Sequence, residues 1–259
     1  MLTIHIIEIK SNIVEIMNIK ETYEKSKKGN EDTVVVEGVH AFKHASRFGA
    51  KFLSVVTDDK KRVLDLMQKI ASRDDMERLA EIVIEIDQVT FNEIASDSLR
   101  TGLVAIAKKP QYTVADIADK QIVFIEDPRD IDNVGAVVRV AAGYGAGAVV
   151  ISGDISPWHM MAIRAGAGLQ WALPILQVTS VDDIAEERKV YACDADGKSM
   201  KEMCIEKNAV LVFGTERCGI TAKLKKRADQ IISIPMQKGV SSLNLATSVS
   251  AILFGGQFK

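Results

Sequence analysis

The chain has 259 residues, of which 47% are hydrophobic and 26% are charged. This composition predicts a globular protein with a full hydrophobic core, built as one large domain or two modest ones. The formal net charge of -2 argues against a uniformly basic nucleic-acid-binding protein, although a local basic stripe is enough to neutralise phosphates. The three cysteines, at positions 193, 204 and 218, lack metal-ligand spacing, and their odd number fits a reducing compartment.

The apolar stretches near the two ends of the chain do not have the pattern of targeting or membrane segments. Residues 1–10 are apolar only briefly and include Glu8 and Lys10, so we expect no signal peptide. The last apolar stretch, at residues 243–256, is too short to span a bilayer. We therefore expect a soluble, cytoplasmic protein with no membrane partner.

The first half of the chain has the pattern of a small α/β unit that ends near Pro110. Hydrophobic periodicity and turn residues define its elements. The predicted helices are residues 11–30, 39–50, 60–73 and 91–95, and the predicted strands are residues 32–38, 51–59, 81–87 and 102–110. Residues 111–120 form a connector without the Gly, Ser or Pro enrichment of a flexible linker.

From residue 121 onward, strands and helices alternate, which predicts a mostly parallel sheet with helices on its faces. The predicted strands are residues 121–127, 147–153, 173–178, 189–195, 209–214 and 230–235. The predicted helices are residues 132–145, 157–168, 181–189 and 221–227, with a last helix from Leu243.

Three patches in this second half place small and polar residues just after predicted strands. They are residues 132–139 (DNVGAVVR), 213–219 (FGTERCG) and 234–244 (IPMQKGVSSLN). In open α/β sheets, ligands bind at the carboxyl ends of the strands. Three such ends in one domain therefore predict a shared site.

Arg139 is the only charged residue in an apolar helix rich in Gly and Ala. A buried guanidinium without partners is costly, so Arg139 must pair with an acid, reach solvent or face an anion. Residues 132, 135, 136 and 139 share one helix face, which directs Arg139 toward the side where the helix begins. A structural salt bridge remains the alternative.

Several polar residues of the patches also have a purely local interpretation. Asp132 and Asn133 can cap the first helix, and Ser241 or Ser242 can cap the last one. Glu216 can stabilise the N-terminus of the helix that follows it. The occurrence of all three patches in one domain favours a site over three unrelated caps.

Two further patterns predict neither a dinucleotide nor a metal site. Residues 143–148 (GYGAGA) end a helix and enter a strand, the reverse of a dinucleotide-binding fingerprint, so Gly143 or Gly145 is interpreted as a helix C-cap. His40 and His44 are four residues apart but lack the Glu of a zinc-binding HExxH motif, which favours a solvated helix face. We predict no metal site.

Together, the three patches resemble the motifs of the SpoU (TrmH) family of RNA ribose 2′-O-methyltransferases, in the SPOUT superfamily. The family's motifs are N-x-G-x-x-x-R, G-x-E-x-x-G, and I-P-M followed by S-L-N. They correspond here to Asn133, Gly135 and Arg139, to Gly214, Glu216 and Gly219, and to residues 234–236 and 242–244. The resemblance covers roughly residues 120–255, and the three motifs in this order are highly specific.

Residues 34–49 and 97–110 resemble, more weakly, the substrate-binding domain similar to ribosomal protein L30e that many family members carry. We therefore expect an L30e-like RNA-binding domain at residues 1–112 and a methyltransferase domain of SPOUT type at residues 118–259. Thr215 departs from the Asn common in the second motif, and Arg217 and Cys218 replace smaller residues. These departures bear on the packing of the cofactor.

The resemblance implies an α/β fold with a mostly parallel sheet and a deep trefoil knot in the catalytic domain. It also implies S-adenosylmethionine bound by the knot loops, and a homodimer formed through the catalytic domains. The residues implied to bind the cofactor are Gly214, Thr215, Ile234, Met236 and Leu243. The residues implied to serve catalysis are Arg139, Asn133, Glu216, Ser242 and Asn244.

The reaction implied is methyl transfer to a ribose 2′-OH in structured RNA. This hydroxyl is a weak nucleophile that must lose its proton, so a base and in-line positioning are needed. Arg139 is a poor base because a guanidinium gives up its proton with difficulty, and we expect it to grip the adjacent phosphate while the deprotonation route stays open. Ribosomal RNA is expected on family habit, with transfer RNA as the alternative.

Two other classes of function compete with this one. A non-catalytic RNA-binding or ribosome-assembly protein could have the same fold, but the presence of Arg139, Glu216 and Asn244 argues against it. A nucleotide-dependent dehydrogenase is the second competitor, and the position of the glycines at residues 143–148 argues against it.

Overall fold

The computed structural model describes residues 20–29, 32–96, 101–117, 119–215 and 219–257. These residues form two compact units. The first comprises the described residues up to Pro110 together with Trp158–Gly168, and the second comprises Gln111–Pro157 and the described residues from Leu169 onward. The short segment Trp158–Gly168 thus packs with the first unit, although its place in the sequence is within the second predicted domain.

The first unit is a small mixed sheet with helices. After a helical stretch at residues 20–26, its elements are β1 (Thr33–Glu37), α1 (Val39–Arg47), β2 (Phe52–Thr57), α2 (Lys60–Ile70), α3 (Arg73–Ile82), β3 (Ile84–Glu85), α4 (Gln88–Ile94) and β4 (Leu103–Lys108). The strand order is β1-β4-β2-β3. Strand β4 is antiparallel to both β1 and β2, and β3 is parallel to β2.

The single charged helix expected at residues 60–73 is wrong, because the structure has two helices there. Ala71 is extended, with φ -125° and ψ 164°, and ends α2. Ser72 then caps α3 in a reciprocal capping box with Asp75. Because α3 continues to Ile82, the strand expected at residues 81–87 is reduced to Ile84–Glu85.

The segment Trp158–Gly168 is held in the first unit by close backbone contacts. Met160 N donates to Lys27 O at 2.9 Å. Gly29 has φ +72°, and a Cβ there would lie 2.2 Å from the Trp158 carbonyl carbon, so this contact requires glycine. His44 Nδ1 lies 2.8 Å from Ala167 O, which makes the prediction of a solvated face wrong for His44.

His159 begins the helix α6 (Met160–Ala165), and its Nδ1 accepts a hydrogen bond from Met161 N at 3.1 Å. Burial, with the charges of Lys27 and Lys28, lowers the pKa of His159 below its usual 6.5. The folded protein therefore favours neutral His159. The contribution of His159 to the free energy of unfolding is fully present above about pH 7. It is lost as pH falls below 6.5 toward the lowered pKa of His159 in the folded protein.

We expect the free energy of unfolding, measured with urea, to fall between pH 7.5 and pH 5.5, and to fall less in His159→Asn. Asn keeps an acceptor for the helix cap but does not titrate. An identical fall in the wild-type protein and in the variant would contradict the assignment to His159.

The second unit is built on a six-stranded sheet. Its elements are β5 (Ile122–Ile125), α5 (Ile131–Tyr144), β6 (Ala148–Ile151), β7 (Ile175–Gln177), β8 (Val190–Ser199), β9 (Val210–Phe213), α7 (Ala222–Arg227), β10 (Gln230–Ser233) and α8 (Leu245–Gln257). The strand order is β10-β8-β9-β5-β6-β7, and every neighbouring pair is parallel. The prediction of an α/β unit with a mostly parallel sheet is confirmed.

Local geometry accounts for two details of this unit. The helix expected at residues 181–189 is wrong: a single turn at Val181–Asp183 ends where Ile184 leaves the helical region, at φ -130°. Gly145 is the C-cap of α5, with the left-handed angles φ 69° and ψ 35°, as one of the two glycine alternatives predicted.

The sheet places all three patches at one edge. The first patch lies in α5, the helix that follows β5; the second starts at the last residue of β9 and precedes α7; the third follows β10 and precedes α8. Because the strands are parallel, these three connections leave the same, carboxyl edge of the sheet. Among the residues described, the structure contains no helix that is long and apolar enough to cross a membrane.

Candidate active site

The helix that contains the first patch begins with a cap that the sequence analysis did not identify. Asp130 is the N-cap of α5, and its Oδ1 accepts hydrogen bonds from Asp132 N at 2.8 Å and Asn133 N at 3.4 Å. The prediction that Asp132 or Asn133 caps this helix is therefore wrong. The Asn133 side chain is left available for a contact elsewhere.

That contact is with Asn244, the residue that precedes the last helix. Asn244 Nδ2 donates to Asn133 Oδ1 at 2.9 Å. Asn244 Oδ1 accepts from Ala246 N at 2.9 Å and from Thr247 N at 3.4 Å, so Asn244 is the cap of α8. The alternative in which Ser241 or Ser242 caps this helix is wrong, and the first and third patches meet through two amide side chains.

We expect Asn244→Ala to lower the free energy of unfolding by about 1 kcal/mol, because it removes the cap of α8. In Asn244→Asp, a carboxylate oxygen keeps the cap acceptor but the donor to Asn133 is lost. Urea unfolding of both variants checks this, and equal losses in the two would contradict the cap assignment.

Arg139 lies on the exposed face of α5. The buried residues of this helix are Val134, Gly135, Val137, Val138 and Ala141. Arg139 forms no ion pair or hydrogen bond with any residue in the described ranges. Within those ranges the salt-bridge alternative therefore has no partner, and the guanidinium faces solvent.

The second patch is a tight loop that closes on itself. Thr215 N donates to Gly219 O at 3.1 Å, and Gly219 N donates to Thr215 O at 3.0 Å. A Cβ on Gly214 would lie 2.1 Å from the Gly219 carbonyl carbon, so the loop closure itself requires glycine there. Glu216, Arg217 and Cys218 lie outside the described residues.

The third patch is a stretch of chain without regular structure between β10 and α8. Among the described residues, it has one internal backbone hydrogen bond, from Val240 N to Gln237 O at 3.0 Å. Ile234 and Met236 are half-buried, and Ser242 is exposed. Val240 is 47% exposed and Leu243 39% exposed, so this segment presents both apolar side chains and uncommitted backbone groups.

One ion pair lies beside the second patch. Lys225 Nζ is 2.7 Å from Asp194 Oδ2, and that carboxylate is close to Gly219. Burial opposes ionisation of Asp194, but the hydrogen bond and charge of Lys225 outweigh it and lower the pKa of Asp194. Burial raises the pKa of the neighbouring Cys193 thiol, so Cys193 is not suited to be a nucleophile.

The described part of the chain contains no cluster of three or more His, Cys, Asp or Glu side chains that could hold a metal ion. Sequence reasoning missed Glu126, which follows β5 directly. Its side chain accepts two hydrogen bonds from Thr221, the N-cap of α7. Neither residue is part of a recognised motif, and only the adjacency of β5 and β9 brings them together.

A known protein family is similar to the part of the chain that carries the three patches. The model of the SpoU rRNA Methylase family matches residues 120–254, which include all three patches and more than half of the chain. The chain belongs to this family. The resemblance inferred from the three motifs is thereby confirmed.

Curated relatives are similar to this chain over both units. A 23S rRNA (adenosine(1067)-2′-O)-methyltransferase of Streptomyces laurentii is 27% identical over 85% of this chain and 84% of its own length. The 23S rRNA (guanosine(2553)-2′-O)-methyltransferase RlmP of Bacillus subtilis is 21% identical over 91% and 92%.

The crystal structure of the SpoU methyltransferase AviRb from Streptomyces viridochromogenes, in complex with AdoMet, is similar to this chain with a TM-score of 0.75. It is 20% identical and covers 92% of this chain and 96% of its own. At this identity the similarity shows a shared fold.

Proposed function

We propose that this protein transfers a methyl group from S-adenosylmethionine to a ribose 2′-OH of ribosomal RNA. The observation that carries the proposal is the contact between the first and third SpoU motifs, through Asn133 and Asn244. Asn133 lies on the helix that also presents Arg139, which has no ion-pair partner among the described residues. The names of the two curated relatives, both 23S rRNA 2′-O-methyltransferases, give the reaction and the substrate class.

The residues of the second and third patches fit S-adenosylmethionine. This molecule has an apolar purine face and a hydrogen-bonding edge, and bound here it supplies an electrophilic methyl group. Val240 and Leu243 offer exposed apolar surface, and the backbone of residues 234–243 offers donors and acceptors that bond to no other backbone group of the described chain except between Val240 and Gln237. We propose that Gly214, Thr215, Ile234, Met236 and Leu243 hold the cofactor, which is the species bound in the AviRb structure.

The proposed catalytic residues bind and orient the RNA substrate. Arg139, exposed and without an acidic partner in the described chain, binds the phosphate next to the target ribose. Asn133 and Asn244 hold each other in place and orient the ribose, and we propose that Ser242 and Glu216 assist them. A guanidinium is a poor base, so the 2′-OH proton leaves to another group.

We further propose a trefoil knot in the second unit. Strand β10 lies at one edge of the sheet, yet α8 packs against α5, the helix that follows the inner strand β5. The segment between β10 and α8 must therefore pass across the carboxyl edge, where the second patch closes its loop. This path supports a threaded chain of the SPOUT type.

The first unit is proposed to be an L30e-like domain that binds the RNA substrate. Its four-stranded sheet carries helices, and the curated relatives match the chain across both units rather than in the second alone. Ribosomal RNA is preferred to transfer RNA because both of these relatives are named for 23S rRNA.

We also propose that the protein is a homodimer in which α8 contributes to the interface. Phe254 on α8 is 52% exposed and packs edge-on to Tyr144 of α5, with ring centroids 6.2 Å apart. We expect Phe254→Glu to shift the mass measured by light scattering from twice 28.3 kDa to 28.3 kDa at micromolar concentration.

The control is Val114→Glu, since Val114 is 48% exposed in the same unit but is distant in sequence from α8. This variant should keep the dimer mass. A monomeric wild-type protein would refute the proposed dimer.

The function is tested by mapping 2′-O-methyl groups in ribosomal and transfer RNA from cells with and without the gene. We expect one ribosomal position to lose its methyl group, and purified protein with S-adenosylmethionine to restore it in RNA from the deleted strain. An unchanged map, together with RNA binding but no cofactor binding, would favour the non-catalytic assembly protein. A site lost from transfer RNA would correct the substrate class.

A further inference from the structure

Glu126 contacts both ends of the loop that carries the second SpoU motif. It follows β5, and its backbone N–H donates to Phe213 O, the last residue of β9, at 2.9 Å. Its side chain reaches the other end of the loop: Oε2 accepts from Thr221 N at 2.8 Å, and Oε1 accepts from Thr221 Oγ1 at 2.6 Å. The residue that follows β5 therefore bonds to both residues that flank residues 214–220.

The two strands of the loop between Phe213 and Thr221 are also held together by their own backbone contacts. The paired hydrogen bonds between Thr215 and Gly219 close it, and Gly214 packs on the Gly219 backbone. Thr221 also begins α7, because its hydroxyl oxygen accepts from Leu224 N at 3.3 Å. The Glu126 carboxylate thus locates the exit of the loop and the start of the following helix with the same two bonds.

The position of Glu126 also links this loop to the first motif. Asp127 follows Glu126, and the chain continues through the cap Asp130 into α5, which carries Asn133 and Arg139. Any displacement of Thr221 from Glu126 therefore changes the distance between the second-motif loop and the first-motif helix. Both side-chain hydrogen bonds are made to carboxylate oxygens, a strong class of acceptor.

We propose that Glu126 is a positioning residue, which holds Phe213 and Thr221, the two residues that flank the second-motif loop, in register with the first motif. It acts through Thr221 and does not touch the RNA or the cofactor. The effect on the reaction rests on the proposed function, whereas the effect on the order of the loop does not. Because Thr221 is exposed, water can replace the lost bonds, so the loss falls on the loop more than on global stability.

The experiment measures hydrogen exchange in peptides covering residues 210–222, together with S-adenosylmethionine affinity and single-turnover methyl transfer, in the full-length protein. We expect Glu126→Ala to speed exchange in these peptides and to weaken both affinity and transfer by on the order of ten-fold, as for the loss of a charged hydrogen bond. Thr221→Val should reproduce part of this effect, and Thr221→Ser should behave as the wild type.

A double variant tests whether the two residues act through each other. Thr221→Val should cost less in the Glu126→Ala background than in the wild type, because the shared hydrogen bond is already absent. Additive losses in loop exchange and transfer would overturn the proposal.

The matched control is Asp229→Ala. Asp229 Oδ2 accepts from Val190 N at 2.8 Å, a similar carboxylate-to-backbone bond, but at the amino end of β8 and away from the motifs. Its loss should lower the melting temperature without changing exchange at residues 210–222. The proposal is wrong if Glu126→Ala leaves loop exchange at the wild-type rate, or if Asp229→Ala causes the same loss of transfer. If the wild-type protein methylates no RNA, the proposed function fails and loop exchange alone decides the role of Glu126.

Discussion

Replacing Arg139 with Ala should abolish most methyl transfer while leaving the fold intact. We expect single-turnover transfer to fall by roughly 100-fold or more, the order seen when one charge-stabilising donor is removed from an active site. The melting temperature and the affinity for S-adenosylmethionine should stay close to the wild-type values. The reason is that Arg139 is exposed and has no ion-pair partner in the described part of the chain.

The two interpretations of Arg139 differ in which measurement changes. If Arg139 served a buried salt bridge, its loss would cost about 3–5 kcal/mol of stability while the molecules that still fold kept their activity. Measuring unfolding and transfer on the same preparation separates the two. Arg139→Lys is the matched control, because it keeps the positive charge but cannot make bidentate hydrogen bonds to a phosphate. Its rate of methyl transfer should lie between those of the wild-type protein and Arg139→Ala.

The sequence predicted the parallel sheet and the placement of the site because both depend on local patterns. The buried strands β5, β6 and β9 are short apolar runs, and alternation with helices forces parallel neighbours. Since parallel strands put their carboxyl ends on one edge, the three motifs were expected to meet. The bond between Asn133 and Asn244 shows that two of them do.

The sequence did not predict which polar residues cap helices and which remain available. Asp130, Asp132 and Asn133 are chemically similar candidates for one cap, and only the turn geometry selects Asp130. The choice matters, because it leaves Asn133 available for Asn244. Glu126 was missed for a different reason: its partner Thr221 is 95 residues away, and no periodicity links them.

The surroundings of Gly214 give a second reason why this position requires glycine. If Gly214 binds the cofactor, as the resemblance implies, a side chain there would occupy space that the cofactor approaches. The structure gives a nearer obstacle, since a Cβ there would lie 2.1 Å from one Gly219 backbone atom and 2.3 Å from Ile220 N. Both reasons predict loss of cofactor binding, but only the second predicts that the loop itself is disturbed without any ligand.

We therefore expect Gly214→Ala to lower the affinity for S-adenosylmethionine by about 100-fold and to destabilise the protein by about 1–3 kcal/mol, the usual cost of overpacking. The extra methyl group must push Gly219 away and break the paired hydrogen bonds with Thr215. Calorimetric titration with the cofactor and urea unfolding measure the two effects, and hydrogen exchange at residues 210–222 should rise even without cofactor.

Gly143→Ala is the matched control for this substitution. Gly143 is in α5 and is exposed, and outside the local helix backbone no atom of the described residues lies within 4 Å of the position where a Cβ would stand. Ala is a better helix former than Gly by up to about 1 kcal/mol, so this variant should be slightly more stable and should bind the cofactor as the wild type does. If Gly214→Ala bound the cofactor normally, the closed loop at residues 214–219 would not be part of the binding site.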